Sequence, residues 1–166
     1  KINRLSKTRV TEELQHLRPL PKRRTHDYAE HRVLISSSST FDLKRTTYTV
    51  PSRFIGERLY VQLFDERLEL FHGHEPVLTL RRVYGVDTKR GQSVDYRHVI
   101  DSLVCKPRAF RYSRLRDHLL PSPDYQRIWC YADEHLAPHE ACRYIVQVLY
   151  LAAKEDCEAA LGRFIL

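Results

Sequence analysis

Leu59-Tyr60-Val61-Gln62-Leu63-Phe64-Asp65-Glu66-Arg67-Leu68-Glu69-Leu70-Phe71 is the stretch that decides the fold. Leu59, Val61 and Leu63 alternate with Tyr60, Gln62 and Phe64, and Leu68 and Leu70 alternate with Arg67, Glu69 and Phe71. A period of two puts every second side chain on one face, so each run reads as a strand with one buried side. Asp65-Glu66 between them reads as a turn, and His72-Gly73-His74 breaks the chain again before Leu78 and Leu80 resume the alternation with Thr79 and Arg81. Working outward, Val33-Leu34-Ile35 opens a strand and Ser36 to Thr40 is a serine-rich turn. Phe41 to Val50 is extended, and Pro51 ends it. Short strands with tight turns predict an antiparallel meander of five or six strands, closed or half-closed as a small β-barrel.

On the N-terminal side, Thr11 to Leu17 reads as a short helix capped by Thr11, with Glu12 and Glu13 at its positive end. Pro19 and Pro21 stop it, and Lys22-Arg23-Arg24 follows as a basic linker. On the C-terminal side, residues 83–93 read as a loop and everything after it as helix. Ser93 or Asp95 caps a helix with inner face Tyr96, Val99, Ile100 and Leu103, which Pro107 ends. Residues 109–119 form a less regular helix. Ser122-Pro123 starts another, with Tyr125, Ile128, Trp129, Ala132 and Leu136 at helical spacing. The helix from Pro138 is apolar except for a stripe of Arg143, Gln147, Tyr150 and Lys154, so it should be the centre of the layer. A last helix runs from about Asp156. The expected class is α+β: a connector over 1–29, a barrel over 30–92, and a layer of four to five helices over 93–166.

At 42% hydrophobic over 166 residues, the chain has the composition of a folded domain rather than a disordered segment. No apolar run approaches the roughly 18 residues of a membrane span, and the polar start Lys1-Ile2-Asn3-Arg4 is unlike a signal peptide. A chain of 166 residues without a methionine is expected to be part of a longer protein. Cys105, Cys130, Cys142 and Cys157 read as reduced, mostly buried thiols of a cytoplasmic protein. Charge is uneven. Residues 1–53 hold 12 Lys/Arg against 5 Asp/Glu, whereas residues 121–166 hold 4 against 7. That asymmetry favours an anionic partner for the first part and another role for the tail.

No catalytic constellation emerges. The five glycines never cluster into a phosphate loop, there is no Gly-x-Ser-x-Gly, and no nucleophile, base and stabiliser assemble on paper. Two metal-like spacings, His72-x-His74 and Cys130-x4-His135-x3-His139-x2-Cys142, lack the tight ligand pairs of structural zinc sites and read better as turn and surface residues with buried thiols. The basic residues carry the strongest chemical signal. Lys22, Arg23 and Arg24 precede the barrel; Lys44, Arg45, Arg53 and Arg58 sit in or beside its turns; Lys89 and Arg90 lie in the exit loop; Arg108, Arg111 and Arg114 fall near one helical face. Clusters of this kind neutralise phosphates and release counterions, and Tyr48, Tyr60, Tyr84 and Tyr112 are interleaved with them. DNA binding without sequence reading is the expectation.

Several stretches, in order, carry a resemblance: Leu17-Arg18-Pro19-Leu20-Pro21, Tyr48 to Leu59 with Pro51 and Gly56, Asp95 to Phe110 with His98, Lys106 and Pro107, Arg143-Tyr144-Ile145, and Leu149 to Ala153. Together they resemble the C-terminal half of IstA-type insertion-sequence transposases, relatives of the phage Mu transposase. The resemblance implies a Mu-type β-barrel followed by a helical region, downstream of an integrase-like core whose three carboxylates and divalent metal lie outside this sequence. No catalytic residue, metal or cofactor is therefore expected here. It also implies DNA, other transposase subunits and an AAA+ ATPase helper as partners, with no membrane. A module that recruits the helper or mediates oligomerisation, with little DNA contact, is the alternative.

Overall fold

The computed structural model describes Leu14, His16, residues 27–85 and residues 90–165. Leu14 and His16 are helical; the rest of the expected helix over 11–17, the linker Lys22-Arg23-Arg24 and Lys89 lie outside the described residues.

Among the described residues, seven strands form two sheets. Sheet one is antiparallel in the order β1 (Ala29–Leu34), β4 (Arg58–Leu63), β5 (Arg67–His72), β6 (Glu75–Arg81). Sheet two has the order β2 (Thr40–Leu43), β3 (Thr46–Thr49), β7 (Gly91–Ser93). The two share one core, made from alternate residues of both: Val33, Leu59, Val61, Leu68 and Leu70 from sheet one, and Phe41, Leu43 and Tyr48 from sheet two. The serine-rich turn after Ile35 carries the chain between the sheets, with Ser36 Oγ bonded to Thr40 Oγ1 at 2.7 Å.

This corrects the expected barrel in three ways. Phe41 to Val50 is a hairpin rather than one extended run, because Lys44 and Arg45 take the left-handed conformation (φ 48° and 64°) and reverse the chain. Seven strands replace five or six, and β7, expected as loop, pairs parallel with β3. Among the described residues no ladder joins the two sheets, so they meet through their shared core and not through the continuous ladder of a closed barrel. Gly56 (φ 84°) and Gly73 (φ 63°) supply turn conformations that side chains resist.

Among the described residues, five α-helices follow: α1 (Ile100–Cys105), α2 (Arg108–Tyr112), α3 (Pro123–His135), α4 (Pro138–Lys154) and α5 (Glu158–Ile165). Tyr96, Val99, Ile100 and Leu103 form the buried face of the first segment, with Tyr96–His98 a 3-10 turn. Helix α4 is the centre of the layer: Ala141, Cys142, Ile145, Val146, Leu149 and Ala152 are buried along it. Leu136, expected on the inner face of α3, is 40% exposed, because the helix ends at His135 and Leu136 is extended. Of the cysteines, Cys142 is buried; Cys105 and Cys130 are exposed and Cys157 is intermediate, so the expectation of mostly buried thiols fails for half of them. No helix among the described residues is long and apolar enough to cross a membrane.

Candidate nucleic-acid interface

The parallel pairing of β3 with β7 brings part of the basic set together. The Gly91 N–H donates to the Arg45 carbonyl at 3.1 Å, and Arg90 Nη1 lies 3.9 Å from Asp42 on the same hairpin. The other end of the intervening segment is pinned as well. Tyr48 Oη donates to the Val83 carbonyl (3.2 Å) and accepts the Val83 N–H (3.1 Å), and Thr46 Oγ1 donates to the same carbonyl at 2.9 Å. Lys44, Arg45 and Arg90 therefore share one end of sheet two. Gly91 is required there: a Cβ on it would stand 2.6 Å from Thr46 Oγ1 and 3.2 Å from the Gly85 nitrogen.

The other described members of the basic set are dispersed. Arg53 lies beyond the opposite end of β3, with its guanidinium 4.8 Å over the Phe54 ring. Arg58 begins β4, across from Leu34, on the outer face of sheet one. Arg108 and Arg114 are exposed on the helical layer. The expected shared face of Arg108, Arg111 and Arg114 does not form, because α2 stops at Tyr112, Ser113 is extended, and Arg116–His118 is a separate 3-10 turn. Arg111 turns inward, ion-paired with Asp133 and 5.5 Å above the Trp129 ring. Of the interleaved tyrosines, Tyr48 is core, whereas Tyr60, Tyr84 and Tyr112 are exposed.

A few polar contacts join the sheets to the helices. The Asp95 N–H donates to Thr49 Oγ1 at 2.9 Å, and His98 Nδ1 lies 3.1 Å from the same hydroxyl. Burial holds the His98 imidazole below its ordinary pKa, against the pull of Asp95. At the far side, Tyr96 Oη donates to Glu158 Oε2 (2.9 Å), and Tyr125 Oη donates to the Glu158 carbonyl (3.0 Å). Burial raises both phenols, Tyr125 to about 12, so each stays a proton donor.

Among the described residues, no three His, Cys, Asp or Glu side chains converge on a point that would hold a metal ion. The candidate set read from the sequence leaves out Arg32, Phe64 and Phe71, although the alternation had already set Phe64 and Phe71 on the face of Tyr60; Arg32 joins them there, paired with Tyr60.

No family model matches the chain, and no solved structure matches it. A protein of Sinorhizobium fredii (strain NBRC 101917 / NGR234), described only as the uncharacterized protein y4jA/y4nE/y4sE, is 44% identical to it over 155 residues. That alignment covers 93% of this chain and 31% of the relative, so the chain spans about a third of the curated relative it matches.

Proposed function

We propose that the chain is a non-catalytic DNA-binding and assembly module of an IstA-type transposase, its two sheets corresponding to the Mu-type barrel of that family. The observation that carries this reading is the meeting of Lys44, Arg45 and Arg90 at one end of sheet two, fixed by the Gly91–Arg45 hydrogen bond. Two basic residues occupy left-handed positions that normally select Asn or Gly, so their charge is kept at a conformational cost. Such a cluster positions phosphates without reading bases. Cutting and joining belong, on this reading, to the integrase-like core and its divalent metal elsewhere in the parent protein. Titration of the full chain with duplex DNA tests it. With about 4–6 phosphate contacts, the log–log salt slope should lie between roughly −4 and −5. Reversing Lys44, Arg45 and Arg90 to Glu should make the slope shallower by about one for each phosphate left without its cation. Unchanged affinity would remove this cluster from the interface.

The second reading, a protein-interaction module, is favoured by the apolar and aromatic exposure of the helical layer: Tyr131 on α3, Tyr144 and Leu151 on α4, and Phe164 on α5. It predicts that Tyr144→Glu with Leu151→Glu abolishes capture of the ATPase helper or of another transposase subunit while duplex binding persists.

A further inference from the structure

The outer face of sheet one has a composition that neither the core nor the basic hairpin explains. Residues alternating with the buried leucines and valines point outward, and the register aligns them across strands. Arg32 pairs with Tyr60, and Tyr60 with Phe71. A second row sets Tyr28 beside Phe64, ring centroids 5.2 Å apart, and Arg67 pairs with Arg81. Tyr60 is 39% exposed although Leu59 and Val61 on either side are fully buried. The Arg32 guanidinium lies 4.6 Å from the centre of the Tyr60 ring, and that of Arg67 lies 4.2 Å from Phe64. Beside the first row lies a depression of about 560 Å³ whose lining includes Tyr60, Phe71, Gln62, Glu30 and His74.

We propose that this face is a stacking surface for the bases of unpaired, single-stranded nucleic acid, with Tyr60 and Phe71 carrying bases and Arg32 and Arg58 contacting the flanking phosphates. Aromatic rings on an open sheet face attract bases because every base presents a π-surface, and stacking tolerates any sequence. A duplex hides those surfaces, so aromatic rows serve a strand whose bases are free. Charge agrees: Arg32, Arg58, Arg67 and Arg81 outnumber Glu30 and Glu69 on this face, and Glu69 is held by Arg67 at 2.6 Å. Gln62 and Glu30 border the depression, where an amide and a carboxylate can meet base edges. The surface is separate from the Lys44–Arg45 hairpin and does not rest on the duplex-binding reading.

The test is fluorescence anisotropy of the full chain with labelled dT15, rU15 and a 15-base-pair duplex. Tyr60→Leu with Phe71→Leu should weaken single-strand binding about tenfold or more while leaving duplex binding within twofold; Tyr60→Phe, which keeps the ring, should bind as the original. The tighter of dT15 and rU15 names the strand type, and either one binding through Tyr60 upholds the proposal. Mapped nitration of the unaltered chain gives a readout that does not depend on a variant's folding. Single strand should protect Tyr60 from tetranitromethane, and duplex should not. Unprotected Tyr60, equal loss of single-strand and duplex binding in the double variant, or displacement of dT15 by poly-glutamate at equal charge would each overturn it. The last outcome would mark the face as an acidic-protein surface instead. Failure of duplex binding alone would overturn the hairpin reading and leave this one standing.

Discussion

Thr49 ends β3 with its hydroxyl shared between two layers, accepting the Asp95 N–H while meeting His98. Because burial depresses the His98 pKa, the unfolded chain takes up a proton before the folded one does. Stability from this group is therefore complete above the ordinary histidine pKa near 6.5 and falls as pH drops below it. Urea midpoints measured from about pH 7 down to pH 5 should decline, and His98→Gln should flatten the part of that decline owed to this residue. Arg111 gives a second prediction. Its pairing with Asp133 and its place over Trp129 make it a packing residue. Arg111→Met should cost roughly 1–3 kcal/mol, read by denaturant unfolding, and leave the salt slope for duplex DNA unchanged. Neither role was legible in the sequence. Helical spacing grouped Arg111 with Arg108 and Arg114; the extended Ser113 removes Arg114 from that face, and pairing with Asp133 turns Arg111 away from Arg108.

At the scale of elements, β4, β5, β6 and the two long helices were legible because each carries a period that burial enforces, whereas β1 begins at Ala29, four residues before the expected Val33, and the expected helix over 109–119 breaks after Tyr112. The hairpin β2–β3 was not legible. Its turn residues are Lys44 and Arg45, where the favoured pairs are Asn-Gly or Asp-Gly, so no punctuation marked the reversal. Strand β7 is three residues long, Gly91–Ser93, too short to show alternation, and its partner lies far back in the chain. The strained turn yields a prediction in which stability and binding move apart. Replacing Lys44→Asn with Arg45→Gly should raise the unfolding midpoint, by relieving about 1–3 kcal/mol of backbone strain per position at most, and should weaken duplex binding. A variant that gained stability with undiminished duplex affinity would show that the cations there are not used.

At the scale of the whole molecule, the described residues form two hydrophobic cores. One holds the sheets together and the other the helices, with α4 at its centre. The α+β class and the order of the two layers could be read from the chain, whereas barrel closure could not, since alternation tells which face is buried but not how sheet edges meet. Between the cores lies a cleft of about 520 Å³ lined from one side by Ser37, Ser39 and Thr49 and from the other by Val99, Ser102 and Lys106. Thr49→Val should therefore act at the joint. Hydrogen exchange at Asp95 should quicken, while protection in the middle of α4 and of β4 stays as before. Equal loosening throughout would mean that the two cores are one cooperative unit.

The parallel pairing of β3 with β7 has a consequence for how such a protein can be cut and joined. A cassette ending after β6, at the last antiparallel strand, leaves β3 with one naked edge and breaks the hydrogen bond from Gly91 to Arg45. Any exchange of the sheet unit between chains must carry its splice point past Ser93. That brings the junction to Asp95, whose side chain caps the first turn of the helical layer by accepting the Arg97 N–H at 2.9 Å. A workable splice therefore falls between Ser93 and Asp95, where the sheet keeps β7 and the helices keep their cap.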